Sequence, residues 1–311
     1  MTNSALIESA LSLLTSKYVF PDAAAKAAGI IRERQAAGDY DGLGEAELGE
    51  RLTAQLFEVC ADKHLRVRVR DAALHDSMSE ADADAAWQEY LRVTNYRIAR
   101  VERLDGNVGY LDLRGVPDPS LGGKAIAAAM ELVSQTDALI IDLRKNRGGD
   151  PDGVAFWCSY FFPDAETHLN SIFEPQTGIT KQFWTLAFLP GSRYLDRPVY
   201  VLTSEFTFSA GEELCYNLQA QGRATLIGRT TRGGAHPTDA FPITPTLEIT
   251  VPVARSINPV TGTNWEGTGV TPDIDVDAEG AFDVAYQLAL KHVVSTVTGE
   301  LVLDEARAAL N

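Results

Sequence analysis

The sequence predicts an α/β protein with a small helical domain in front of it. Three observations point there. The first sixty residues carry apolar side chains at helical spacing, residues 64–70 alternate with a period of two, and from residue 96 apolar runs and helical stretches follow one another across glycine turns. At 311 residues the chain is long enough for two domains or one large one.

Residues 4–17 place Ile7, Leu11 and Leu14 on one stripe, and Pro21 ends the pattern. An alanine-rich helix follows from Asp22 to about Ala37. A third carries Leu48, Leu52, Leu56 and Val59 and stops near Cys60. His64-Leu65-Arg66-Val67-Arg68-Val69-Arg70 then reads as a half-exposed strand, and residues 77–94 as an exposed helix or ordered linker. A domain boundary is expected at 96/97. Beyond it, 97–104 and 108–114 read as strands around Asp105-Gly106-Asn107, a hairpin signal. A helix over 121–135 leads to Ala138–Arg144, an apolar run of the kind buried on both faces. A helix over 152–162 follows, with strands near 168–174, 179–187 and 198–202, then a helix containing Leu214 and Leu218. Strands at 224–228 and 247–253 and a helix over 281–297 complete the reading.

The formal charge of −16, from 43 acidic and 27 basic residues, repels nucleic acid and anionic membranes, so neither is an expected partner. Cys60, Cys158 and Cys215 are odd in number and set among apolar neighbours, which reads as reduced buried thiols rather than a disulfide framework or metal cluster. The first residues lack a basic segment, and Glu8 interrupts any signal-like apolar core; the expected location is cytoplasmic. No His/Cys/Asp/Glu spacing suggests a metal, no cofactor motif is present, and the composition leaves homo-oligomer formation open. His75, His168 and His292 share no motif.

Two stretches carry chemistry. Thr203-Ser204-Glu205-Phe206-Thr207-Phe208-Ser209-Ala210-Gly211-Glu212-Glu213-Leu214 leaves an apolar strand and enters a helix at Ser209. Ser209 then reads either as the N-cap of a capping box with Glu212 or as a nucleophile at a helix N-terminus, where free N–H groups favour a developing oxyanion. Asp142-Leu143-Arg144-Lys145-Asn146-Arg147-Gly148-Gly149-Asp150 leaves a buried strand through two glycines, whose missing Cβ atoms let backbone N–H groups approach a substrate oxygen.

These two motifs, followed by the loop Gly228–His236 and then Trp265-Glu266-Gly267-Thr268-Gly269-Val270-Thr271-Pro272-Asp273-Ile274, resemble the tail-specific (C-terminal processing) serine peptidase family, S41. Within it the chain is most similar to the branch of the tricorn protease core and the modules of interphotoreceptor retinoid-binding protein. The core match runs over roughly residues 97–295. Tyr18-Val19-Phe20-Pro21 and Ala61–Val67 resemble the retinoid-binding modules in particular.

The resemblance implies a crotonase-like core without a PDZ domain, since residues 71–97 are too few to hold one. It implies Ser209 as nucleophile, with the amides of Ala210 and of Gly149 or Gly148 as oxyanion hole. Many members use a lysine in a Gly-x-x-Thr-x-Gly-Lys-Gly loop; glycine stands at that place here, so the base is expected to be His64, oriented by the acid Glu266. Lys63 replaces the serine that precedes the histidine in the tricorn-like branch, so Glu266 is expected to contact either His64 or Lys63. His236, in the glycine loop, is the alternative base. The implied activity is a serine hydrolase acting on a peptide or small acyl substrate. The alternatives are a carrier of an apolar small molecule and a non-peptidase acyl hydrolase or cyclase.

Overall fold

The computed structural model describes residues 2–70, 79–163 and 166–310. His75 and the start of the 77–94 segment lie outside them. Along the chain the strands are β1 (Arg66–Val69), β2 (Ile98–Leu104), β3 (Val108–Leu113), β4 (Ala138–Asp142), β5 (His168–Glu174) and β6 (Ile179–Trp184). They continue with β7 (Val199–Thr203), β8 (Thr225–Gly228), β9 (Thr238–Pro242), β10 (Leu247–Pro252), β11 (Arg255–Ile257) and β12 (Ile274–Asp275). No helix among the described residues is long and apolar enough to cross a membrane.

The chain divides into two compact units. The first comprises residues 1–87, 172–181 and 236–257, the second the remainder. This differs from the sequence division at 96/97, and strand pairing is the reason. β1 is four residues long and pairs antiparallel with β10, Val67 opposite Ile249, while β10 pairs with β9. A strand that short needs partners to persist. Leu247, Ile249 and Val251 of β10 are fully buried with Leu6, Leu11 and Leu14 of the helix Asn3–Lys17 and Leu48, Leu52 and Leu56 of the helix Glu45–Cys60. A late segment of the chain therefore completes the first core.

In the second unit six strands form one sheet in the order β12-β8-β7-β4-β3-β2. All neighbours are parallel except β2, which pairs antiparallel with β3 across the expected hairpin. The register brings Asp112, Asp142 and Leu202 level, so the carboxyl ends of β3, β4 and β7 open at one edge. Every residue of β4 is buried, as the unbroken apolar run required. On one face Ala281, Ala285 and Ala289 of the helix Ala281–Thr296 pack with Val108, Tyr110, Ile140, Leu202 and Ile227. Their four-residue spacing lines small side chains along the helix, so its backbone can lie close to the strands.

Local chemistry starts the helices that follow the strands. Asp118 accepts from Ser120 N at 2.6 Å and Pro119 opens the helix Pro119–Val133; Asp150 accepts from Asp152 N at 2.8 Å and Pro151 opens Pro151–Ser159. β9, β11, β12 and the helix Glu300–Leu310 were not read from the sequence. Each strand is short, and β9 combines Asp239 and Pro242 with a largely exposed pattern, which hides its period.

Ala285→Leu adds side-chain volume to a fully buried contact with the sheet. It should destabilise the protein by about 1–3 kcal/mol, read as a lower urea midpoint at unchanged slope.

Candidate active site

β7 ends at Thr203, and the next five residues are strapped to the segment that leaves β4. Ser204 Oγ donates to the Arg144 carbonyl at 2.6 Å, Thr207 Oγ1 to that of Leu143 at 2.9 Å, and Phe208 N–H to that of Asn146 at 3.1 Å. The helix Ala210–Ala220 follows. Ser209 stands at its entrance with φ +56° and ψ −127°, a backbone region that a residue with a Cβ enters only under strain. Its N–H donates to Glu212 Oε2 at 2.9 Å, which is one half of a capping box. The Ser209 hydroxyl makes no cap hydrogen bond, and the Glu212 N–H donates instead to the Ser209 carbonyl at 2.8 Å. Capping does not account for this serine.

The glycine turn lies against Ser209. A Cβ placed on Gly148 would come within 2.7 Å of Ser209 Cβ and 3.0 Å of Ala210 N, and one on Gly149 within 1.9 Å of the Val116 carbonyl oxygen. Both glycines have positive φ, +96° and +152°. Glycine is therefore required at each. Asn146, fully buried, holds the turn: its Oδ1 accepts from Gly148 N at 2.8 Å, and its Nδ2 donates to the Leu113 carbonyl at 2.9 Å. The Gly148 N–H is thus already engaged. Among the described residues the N–H groups of Gly149 and Ala210 have no acceptor.

Glu212 does more than the sequence reading assigned to it. Fully buried, its carboxylate also accepts from Thr231 Oγ1 at 2.5 Å, Gly233 N at 2.5 Å and Gly234 N at 2.9 Å. Burial pushes its carboxyl above the usual range, against the pull of those donors. The same glycine loop is held from its other side. Trp265 Nε1 donates to the Gly234 carbonyl at 2.8 Å, and Ala235 N–H donates to Glu266 Oε2 at 2.5 Å. Glu266 therefore braces the loop that contains the glycine found where a lysine was looked for. The sequence signal for Glu212 was its place three residues after Ser209; the signal for Asn146 was a polar residue between a buried strand and two glycines.

Ser209, Glu212 and Glu266 belong to the second unit, whereas His64 and His236 belong to the first. His64 follows the helix Glu45–Cys60 at the entry to β1. Its N–H donates to Asp62 Oδ1 at 3.0 Å and its carbonyl accepts from Thr250 Oγ1 at 2.6 Å. Asp62, only 1% exposed, places its other oxygen 2.7 Å from His236 Nδ1 and 3.2 Å from the Tyr18 hydroxyl. The His236 ring is buried and meets Phe20 edge-on at 5.3 Å. A carboxylate on one ring nitrogen sets the tautomer and orientation of an imidazole.

A strained serine at a helix start, a two-glycine turn beside it and a braced glycine loop follow the carboxyl ends of the parallel strands β7, β4 and β8. The model of peptidase family S41 matches residues 107–276, more than half of the chain. The chain belongs to peptidase family S41. The model of the N-terminal domain of peptidase S41 in eukaryotic IRBP matches residues 2–99. A carboxy-terminal-processing protease of Bartonella bacilliformis (strain ATCC 35685 / KC583 / Herrer 020/F12,63) is 28% identical over 180 residues, which is 56% of this chain and 40% of that protein. The chain thus spans well under two thirds of that relative. Among solved structures, a lipoprotein from Streptococcus agalactiae aligns with a TM-score of 0.61 at 13% identity, covering 96% of this chain and 98% of the other. The tricorn protease aligns at 0.58 and 11% identity, over 93% of this S41 chain and 37% of its own. At such identities these two speak for the fold.

Two predictions test the physics of this region. Ser209→Gly should relieve the positive φ and raise stability by about 1 kcal/mol, whereas Ser209→Ala should leave the strain in place; parallel urea unfolding of the two variants checks it. Glu213, 3% exposed, has its carboxyl pushed up to about 7 by burial, partly countered by hydrogen bonds from Asn170 and Asn217. A carboxyl raised on folding stabilises below its unfolded value and loses that contribution as pH rises through the folded one, here from 4.5 to about 7. Glu213→Gln should accordingly match the parent protein near pH 4.5 and exceed it near pH 8 by up to about 3 kcal/mol. A stability difference independent of pH would contradict this.

Proposed function

We propose that this protein is a serine peptidase that cleaves peptide bonds through an acyl-enzyme on Ser209. The observation that carries the reading is the Ser209 backbone itself: positive φ at a helix entrance, a hydroxyl not used for capping, and the glycine turn in contact with its Cβ. Strain of this kind persists where surrounding structure over-determines it, and it aims an alcohol away from its own helix.

In this mechanism the Ser209 hydroxyl attacks the scissile carbonyl carbon as a base removes its proton. The carbonyl oxygen becomes an oxyanion that accepts from the amides of Ala210 and Gly149. Gly149 is preferred to Gly148 because the Gly148 N–H already serves Asn146. Collapse expels the amine with a proton returned by the base, and water activated by the same base then releases the acid. His64 as base and Glu266 as its orienting acid are the roles that the family resemblance supports. A second reading makes His236 the base, and the buried 2.7 Å contact of its Nδ1 with Asp62 favours it.

The reading takes the core as crotonase-like and without a PDZ domain, so substrate recognition falls to the core. Family membership does not favour the alternative of an apolar carrier. A cytoplasmic location and a short peptide substrate complete the proposal.

A fluorophosphonate probe should label the protein, and Ser209→Ala should abolish labelling and lower peptide hydrolysis by at least about 10,000-fold with the fold intact. Well-folded parent protein that takes no label sinks the reading. His64→Gln and His236→Gln, assayed side by side, separate the two bases: the variant that loses both activity and the rise of kcat/KM near neutral pH carries the base.

A further inference from the structure

A basic cavity opens at the carboxyl ends of the central strands. It measures about 790 Å³ and is lined by Arg97, Arg114, Arg144, Lys145 and Arg147, with Glu279 as its single acidic side chain. Five of the chain's 27 basic residues gather here in a protein of net charge −16, against the overall field. We propose that this cavity binds a carboxylate of the peptide substrate and so selects acidic peptides. The inference deepens the peptidase reading and rests on it.

Two of the five cations are already answered. Arg144 pairs with Asp142 at 2.6 Å and Arg114 with Asp112 at 2.9 Å. Arg97, Lys145 and Arg147 have no ion-pair partner among the described residues, nor has Glu279, so the cavity keeps a surplus of positive charge. Ordinary surface cations need no explanation, but Arg97 and Arg147 are placed by structure. Arg97 closes a run of three residues in left-handed backbone, Asn95, Tyr96 and Arg97, with φ of 49°, 52° and 67°. None is glycine, and backbone of this kind persists only where the surrounding structure holds it. Its Nη2 then donates to the Arg114 carbonyl at 2.8 Å, which fixes the side chain at the cavity wall.

Arg147 connects the cavity to the reaction. It directly precedes Gly148, and its guanidinium lies 4.4 Å from the ring centre of Phe206 and 5.4 Å from that of Phe208, the residue before Ser209. Arg147 Nη1 donates to the Phe206 carbonyl at 3.3 Å, and stacking on an aromatic face leaves the remaining N–H groups of the guanidinium to take a carboxylate. Burial, then the neighbouring Arg232, disfavour the Arg147 charge, and an anion would relieve both effects. Phe206, half exposed, lines the same cavity. A peptide whose scissile bond sits at Ser209 would thus have a carboxylate acceptor beside it. The anchoring carboxylate can come from an Asp or Glu side chain or from the end of the peptide chain; the chemistry is the same.

Fluorescence anisotropy on the Ser209→Ala protein tests this without turnover. A labelled peptide with a Glu side chain and a free carboxyl end should bind about tenfold or more tighter than its Gln, amidated counterpart, and the preference should shrink as salt rises from about 50 to about 300 mM. Lys145→Glu, at an exposed position, should remove the preference for the charged peptide over the neutral one. Peptides altered at one group only assign the source: loss on amidation points to the chain end, loss on Glu→Gln to the side chain. Equal affinity for charged and neutral peptides, absence of binding by either, or a preference that Lys145→Glu leaves intact overturns the proposal. Fluorophosphonate labelling of Ser209 in the parent protein does not involve the cavity, so failure of this inference and failure of the peptidase reading are told apart.

Discussion

The buried carboxylate of Glu212 is the joint on which the second unit's site depends. It is satisfied by four donors: the N–H groups of Ser209, Gly233 and Gly234 and the Thr231 hydroxyl. A buried charge or acid is tolerable only when so saturated, and each donor it takes is a backbone or side-chain group fixed in place. One side chain thereby ties the entrance of the helix Ala210–Ala220 to a loop that begins where β8 ends. Because a carboxylate accepts and does not donate, it can gather several N–H groups, a task open to few other residues.

Asn146 performs the complementary task at the carboxyl end of the neighbouring strand β4. It uses donor and acceptor together, reaching the Leu113 carbonyl with one and the Gly148 N–H with the other. Between these two buried polar groups, the 143–149 segment and the 204–209 segment are held tightly enough to keep Ser209 in a backbone conformation it would not adopt alone. The requirement for glycine at 148 and 149 has the same origin. Each faces an atom closer than any Cβ could be accommodated: Ser209 Cβ in one case and the Val116 carbonyl in the other.

Charge is distributed unevenly over this acidic chain. Most of the surplus carboxylates are exposed, while a group of cations lies at the carboxyl edge of the parallel strands, the region where open α/β sheets receive their ligands. An acidic surface with a basic cavity guides anions to one place and away from others.

Much was legible without coordinates, because it depends on near neighbours in the chain. Helical spacing in the first sixty residues, the hairpin around Gly106, the fully apolar β4 and the entry of a helix at Ser209 all follow from periodicity and turn chemistry over a few residues. The ordered motifs that mark an S41 chain are likewise local strings. What tertiary structure alone decided involves residues far apart. Asp62 meets His236 across 174 positions, and β10 crosses back to complete the core of the first helices. Which glycine keeps its N–H free was settled by where Asn146 points, and the role of Glu212 by a loop some twenty residues downstream. Pairing partners of polar groups are chosen by the three-dimensional path of the chain, and a one-dimensional pattern of apolar residues carries no record of that choice.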